Sequence, residues 1–231
     1  MKAAITGLNN EALAIEVERY AEAQLPLAIG LFNVLVYRSL PDLTEHLVIA
    51  KGQLNEGTPP FLRVHSECFT GEVLGSLRCD CKSQLDLALE TIMAEERGLV
   101  IYLRNHEGRG IGLGNKIRAY QLQDSAGMDT LEANHALGFP DDLRTFSVAV
   151  QILKALQISQ VRLNTNNPAK VVALESQGIV VTELIPSLSV PNPHNRKYLQ
   201  TKFSELGHHL EALFEKSRKI PDSPPREGPC R

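Results

Sequence analysis

The sequence predicts an α/β fold, a mixed sheet covered by helices, with a group of antiparallel strands on its N-terminal side. Three observations carry this expectation. Two apolar, β-branched stretches, residues 28–37 and 46–51, flank a Pro41-Asp42 break and close on Asn55-Glu-Gly-Thr-Pro-Pro60, the pattern of strands joined by turns. After residue 81 the apolar period lengthens to that of a helix and then returns to that of a strand. The alternation of strand and helix recurs between residues 146 and 185, and two such units imply one layered sheet.

In chain order, residues 1–14 read as a leader without chemistry, the length allows one large domain or two small ones between, and residues 211–231 read as a disordered tail. The tail holds four prolines in its last sixteen residues and almost nothing to bury. Leu85, Ala88, Leu89, Ile92 and Met93 share one helical face, with Gly98 in the stop position. A short buried strand is expected over 99–103, followed by a glycine-rich turn and a helix. Further on come a helix over 146–156, a strand over 160–165, a helix over 168–177 stopped by Gly178, a strand over 179–185 and a last helix over 198–210.

Composition narrows the function classes. A net charge of −3, 5% aromatic residues and no Trp argue against a general nucleic-acid binder that stacks bases. No apolar run approaches the roughly 18 residues that a membrane helix needs. Four cysteines behind a start that lacks a sustained apolar core point to a reducing cytoplasm.

The residues with chemical potential cluster in Arg63-Val-His-Ser-Glu-Cys68 and Arg78-Cys-Asp-Cys81. Cys68, Cys79 and Cys81 fall within fourteen residues, and Cys230 stands apart in the tail. Three thiolates can hold Zn²⁺ and leave its fourth position open, the arrangement of a catalytic site. The spacing matches no usual zinc finger, so three inert reduced thiols explain it equally well. Arg63, His65, Ser66, Glu67, Arg78 and Asp80 are too many polar groups for an ordinary buried strand, and a metal with an anion would account for them.

Glu107-Gly-Arg-Gly-Ile-Gly-Leu-Gly-Asn-Lys116 fits neither a P-loop nor a dinucleotide fingerprint. It reads either as a flexible turn or as a phosphate site served by Arg104, Arg109, Lys116 and Arg118. In Asn164-Thr-Asn-Asn-Pro-Ala-Lys170, Pro168 suits a first helical turn that Asn166 or Asn167 caps, with Lys170 as an added charge for an anion. Local rules make Asp141 or Asp142 the cap of the next helix. His135 reads equally well as a buried structural histidine and as a functional one.

These motifs, together with Ala119-Tyr-Gln-Leu-Gln-Asp124, Thr165-Asn-Asn-Pro168 and Tyr198-Leu-Gln-Thr-Lys202, resemble the GTP cyclohydrolase II family, in order, from about residue 15 to 210. The resemblance implies a GTP cyclohydrolase II-like catalytic domain. It would open the imidazole ring of GTP with loss of formate and pyrophosphate to give 2,5-diamino-6-ribosylamino-4(3H)-pyrimidinone 5′-phosphate, the first step of riboflavin biosynthesis. It implies one Zn²⁺ per subunit on Cys68, Cys79 and Cys81, with Mg²⁺ on the substrate phosphates. It implies a GTP site of Arg63, Val64, His65, Ser66, Glu67 and Gln84, continued by Glu107, Gly108, Arg109, Thr130, Thr165 and Lys170. By the same resemblance Asp142 is a proton acceptor, Arg144 a nucleophile on phosphorus, and Tyr120 a participant in formate release. A cytoplasmic homodimer follows, with neither nucleic acid nor membrane as partner.

Elementary chemistry favours Arg144 as a phosphate clamp, because a guanidinium stays protonated. Three thiolates also leave zinc formally negative, so Tyr120 and Glu67 are the expected helpers in activating water. Lys82, Thr145 and the pair Asn105-His106 depart from the family pattern. Two other readings stay open: a paralogue that keeps the formyl group or takes another purine nucleotide, and a structural zinc module with a fourth protein ligand.

Overall fold

The computed structural model describes residues 15–208 and residue 210. The expected leader and the expected tail, with Cys230, lie outside them. Seven strands form one mixed sheet: β1 (Glu16–Leu27), β2 (Gly30–Leu40), β3 (Glu45–Lys51), β4 (Phe61–Ser66), β5 (Gly98–Leu103), β6 (Gln160–Asn164) and β7 (Val180–Ile185). Their order is β1-β2-β3-β5-β4-β6-β7. β1, β2, β3 and β5 pair antiparallel, whereas β5, β4, β6 and β7 run parallel. The α/β class and the N-terminal antiparallel group are as expected.

Alternation within the central strands explains the layers. In β4 and β5, Leu62, Val64, Leu99, Ile101 and Leu103 face α5 (Ser147–Ala155) and α6 (Pro168–Glu175) through Val150, Leu153 and Leu174. Phe61 and Val100 face the other way, onto Ala88, Leu89 and Ile92 of α2 (Cys81–Glu95). Strands buried on both faces read as continuous apolar runs, and parallel strands need such cover. The remaining helices are α1 (Phe69–Glu72), α3 (Gly112–Ala126), α4 (Thr130–Ala136) and α7 (Arg196–Ser204).

Four details differ from the sequence expectation. β1 is a full strand where none was expected; its residues are exposed almost throughout, so no apolar alternation marks it. Gly98 does not stop α2: Glu96 closes that helix at φ 57°, and Gly98 opens β5 at φ 153°, where a Cβ would sit 2.9 Å from the Phe61 carbonyl oxygen. α7 ends at Ser204, short of residue 210. Neither Asp141 nor Asp142 caps α5, whose N-cap is Phe146 without a side-chain bond.

The four parallel strands all end at the same edge, and each carboxyl end runs into a loop that leads to a helix. In open α/β sheets this edge is where ligands bind. No helix among the described residues is long and apolar enough to cross a membrane.

Candidate active site

Past the end of β4 the chain runs through Glu67 and Cys68 into α1, and Cys79 and Cys81 arrive at the start of α2. The three sulfur atoms lie within 4.8 Å of one another, with Cys68 Sγ 3.7 Å from Cys79 Sγ. No fourth His, Cys, Asp or Glu donor joins them among the described residues. Gly71 makes the approach feasible, since a Cβ there would lie 2.8 Å from Cys79 Sγ and 3.2 Å from Cys68 Sγ. Hydrogen bonds from Cys79 and Cys81, then the nearby Lys116 charge, drive the Cys68 thiol far down. Its proximity to Cys68 and Cys79 pushes Cys81 well up. Three sulfurs this close repel one another once ionised, and holding all three as thiolates calls for a cation. Three converging sulfur donors with an open side fit a zinc ion.

Lys116 of α3 supplies part of the missing positive charge. Its Nζ lies 3.1 Å from Cys68 Sγ, 2.8 Å from Thr70 Oγ1 and 2.5 Å from Glu107 Oε1. The expectation that Lys116 serves a phosphate is therefore corrected: it is committed to the sulfur cluster. Arg118 and Arg104 are exposed, the first donating to Asn115 Oδ1 and the second facing Glu67. Of the four cations expected around the glycine-rich turn, Arg109 alone keeps a free guanidinium in the cleft.

Across the cleft from the sulfurs stands a group of buried cations. Arg63, at the centre of β4, donates Nη1 to the backbone and side-chain oxygens of Asn164 at 3.2 Å and Nη2 to Gln84 Oε1 at 2.5 Å. Burial lowers its guanidinium to about 10. Lys170, in the first turn of α6, gives Nζ to the Val64 carbonyl at 2.7 Å; burial and then Arg63 and Arg144 push its ammonium well down. Arg109 adopts a left-handed φ of 63° and is buried, yet Nη1 and Nη2 have no hydrogen-bond partner among the described residues. Arg63 Nε is likewise unpartnered. Buried guanidinium groups without partners are costly, and an anion in the cleft would satisfy them.

Arg144, partly buried, joins the group. Asp142 Oδ1 accepts from its backbone N and Nε, both at 2.9 Å, Asp142 Oδ2 accepts from Nη2 at 2.6 Å, and Nη1 reaches Ser66 Oγ at 3.3 Å. Burial pushes the Asp142 carboxyl up, but Arg144 more than offsets it and the net shift is downward. This carboxylate holds the guanidinium in place, and its lone pairs facing Arg144 are already taken.

Most of the residues expected at a nucleotide site line this one cleft. His65, Ser66, Glu67 and Gln84 come from β4, the loop after it and α2, Gly108 and Arg109 from the glycine-rich turn, Tyr120 and Thr130 from α3 and α4, and Thr165 and Lys170 from the β6–α6 junction. Three do not line it: two are buried behind the wall and the third, Asp142, is exposed. The Val64 side chain is fully buried in the core. Glu107 accepts from Phe69 N at 2.5 Å and from Lys116, so it braces the sulfur loop. Asp142, exposed, holds Arg144 from outside the cleft lining. Burial pushes the Tyr120 phenol up to about 12, and the Arg78 guanidinium stacks 4.2 Å over its ring. His135 is exposed and paired with Asp141 at 2.7 Å, so it is no buried structural histidine. Asn167 does cap α6, accepting from Ala169 N at 3.0 Å.

Sequence reasoning missed His106, Tyr198, Lys202 and His208, which also face the cleft. The Ser66 hydroxyl lies 3.1 Å from His106 Nδ1. Burial, then Arg144 and Lys170, lower that imidazole to about 3.

A profile of the GTP cyclohydrolase II family matches residues 18–186. Riboflavin biosynthesis protein RibBA of Nocardia farcinica is 50% identical over 198 residues, 86% of this chain and 48% of that protein. Bifunctional riboflavin biosynthesis protein RIBA 1, chloroplastic, of Arabidopsis thaliana is 47% identical over 86% of this chain and 36% of its own length. Probable monofunctional riboflavin biosynthesis protein RIBA 3, chloroplastic, of Oryza sativa is 48% identical over 83% and 36%. The chain thus spans about half or less of the length of these relatives. The crystal structure of RibBX, a two domain 3,4-dihydroxy-2-butanone 4-phosphate synthase from A. baumannii, aligns at a TM-score of 0.44 and 18% identity over 75% of this chain and 41% of that one, a likeness too weak to argue from. With the profile covering most of the chain and the relatives matching at about half identity, the chain belongs to the GTP cyclohydrolase II family.

Proposed function

We propose that this protein hydrolyses GTP, opening its imidazole ring with release of formate and pyrophosphate to give 2,5-diamino-6-ribosylamino-4(3H)-pyrimidinone 5′-phosphate. The observation that carries this reading is the meeting, in one cleft, of three converging sulfurs with the unpartnered buried guanidinium nitrogens of Arg109 and Arg63. Cys68, Cys79 and Cys81 hold Zn²⁺, whose Lewis acidity, when bound, activates water toward the five-membered ring of the base. Lys116 offsets part of the thiolate charge.

The protein's own groups do the rest. Arg63, Arg109, Arg144 and Lys170 hold the triphosphate, with Mg²⁺ sharing its charge, as preorganised electrostatics that need no rearrangement during reaction. Arg144 acts as a clamp on the leaving pyrophosphate, because its guanidinium is already forked onto Asp142. Tyr120, held as a phenol, donates a proton on the formate side. The enzyme works as a homodimer, a reading supported by the exposed apolar side chains Phe69, Val73, Leu74 and Leu77 and by those of Leu113 and Ile117.

Purified protein with Zn²⁺, Mg²⁺ and GTP should release formate and pyrophosphate together, and mass spectrometry should find the deformylated product. Retention of the formyl carbon would establish the paralogue reading instead, and absence of both released species would reject the proposal. Trapping a covalent phosphoryl adduct on Arg144 would overturn the clamp.

A further inference from the structure

Asp80 lies between two of the three cysteines, yet it neither joins their cluster nor faces solvent: its exposure is 2%. A buried carboxylate beside three sulfurs adds like charge to a place already rich in it, so its partners decide whether it can remain there. Asp80 Oδ1 accepts from Lys202 Nζ at 2.7 Å, and Oδ2 accepts from Gln84 Nε2 at 2.6 Å and from Ser189 Oγ at 3.5 Å. Gln84 in turn accepts from Arg63, which donates to Asn164 at the end of β6. One hydrogen-bonded line thus runs from α7, past the cysteines, to the central cation of the cleft.

Lys202 belongs to a segment that folds back over the carboxyl edge. The Asn166 side chain exchanges two bonds with the Ser187 backbone at 2.6 and 2.9 Å, and Asn192 Nδ2 donates to the Leu77 carbonyl at 3.3 Å, on the cysteine loop. Leu199 is fully buried and packs with Leu188 and Leu210. Lys202 itself is buried, its Nζ 4.5 Å above the Tyr198 ring. α7 lies beyond the residues that the family profile matches.

We propose that Lys202 is a positioning residue. It fixes Asp80, and through Gln84 it fixes Arg63, so that the C-terminal segment sets the spacing between the cysteine cluster and the phosphate-binding cations. The proposal rests on the reading of the cysteines as a zinc site and of the cleft as a GTP site. Partners that orient a metal site from behind the ligands typically change metal affinity by about 10–100-fold when removed.

The test compares Lys202→Met, Lys202→Arg and the double variant Asp80→Asn/Lys202→Met in the full chain. It reads zinc release to the chromogenic chelator 4-(2-pyridylazo)resorcinol, GTP affinity by calorimetric titration, and the thermal midpoint. Lys202→Met should release zinc and lose GTP affinity by factors of about 10 or more, whereas Lys202→Arg should stay close to the parent. The double variant, freed of an unpaired buried carboxylate, should regain the thermal midpoint but not the GTP affinity. Recovery of both would assign the pair to stability alone and overturn the proposal, as would a folded Lys202→Met with parental zinc release and GTP affinity. A parent that holds zinc but binds no GTP would instead reject the proposed function, and zinc release would still decide the role of Lys202.

Discussion

The two halves of the sheet are made of similar strands, yet chemistry gathers on one. In the half formed by β1, β2 and β3, successive strands turn back on themselves, so their carboxyl ends point alternately to opposite edges. In the half formed by β5, β4, β6 and β7, every strand points the same way, and the loops after Ser66, Leu103 and Asn164 bring cysteines, guanidinium groups and Lys170 to one edge. Crossover helices are the structural cost of that arrangement, and they also bury the parallel strands on both faces. Convergence of distant residues follows from strand direction.

Substitutions can break this contrast in order of expected effect. Cys79→Ser on the parallel edge should abolish zinc binding, measured as metal per chain, and reduce turnover at least about 10³-fold, since a metal ion contributes several kcal/mol to such a transition state. Arg144→Ala, which removes one preorganised charge, should cost about 10²–10³ in kcat. Leu163→Ala, at a fully buried site in β6, should destabilise the fold by about 2–5 kcal/mol in denaturant melts. Leu31→Ser in β2, at a half-exposed position, should change stability by less than about 0.5 kcal/mol. A large loss from Leu31→Ser would mean that the antiparallel ribbon is covered in solution, which would sharpen the contrast into one between an interface and a reaction edge.

Apart from substitutions, the contrast has a pH dependence. Burial and the surrounding cations lower both His106 and His208 to about 3, so these imidazoles stay neutral in the folded protein while their unfolded counterparts take up protons near pH 6.5. The unfolded state then binds more protons, and stability falls as pH drops from about 6.5 toward 3. Denaturant midpoints should decline from pH 6.5 to 5, a range above the carboxylate titrations, and His106→Gln should flatten part of that slope.

What the sequence made legible follows the same division. β5 announces itself as an unbroken apolar run, whereas Arg63 and His65 interrupt β4, and the α6 cap is readable in Asn167-Pro168 because the capping bond is local. β1 is unreadable, since a strand exposed on both faces carries no alternating signal. The three cysteines are legible as donors, but Lys116 is not legible as their partner, because 48 residues separate it from Cys68. Lys202 and Asp80 are 122 residues apart, and only the fold shows them as a pair. Asp142 resembles a helix cap by spacing alone, and its true partner, Arg144, lies two residues on in the same loop.

Zinc K-edge absorption spectroscopy of the purified protein tests the central claim most directly. Three sulfur neighbours at about 2.3 Å with one lighter donor is the predicted shell. Four protein donors, or fewer than three sulfurs, would contradict it.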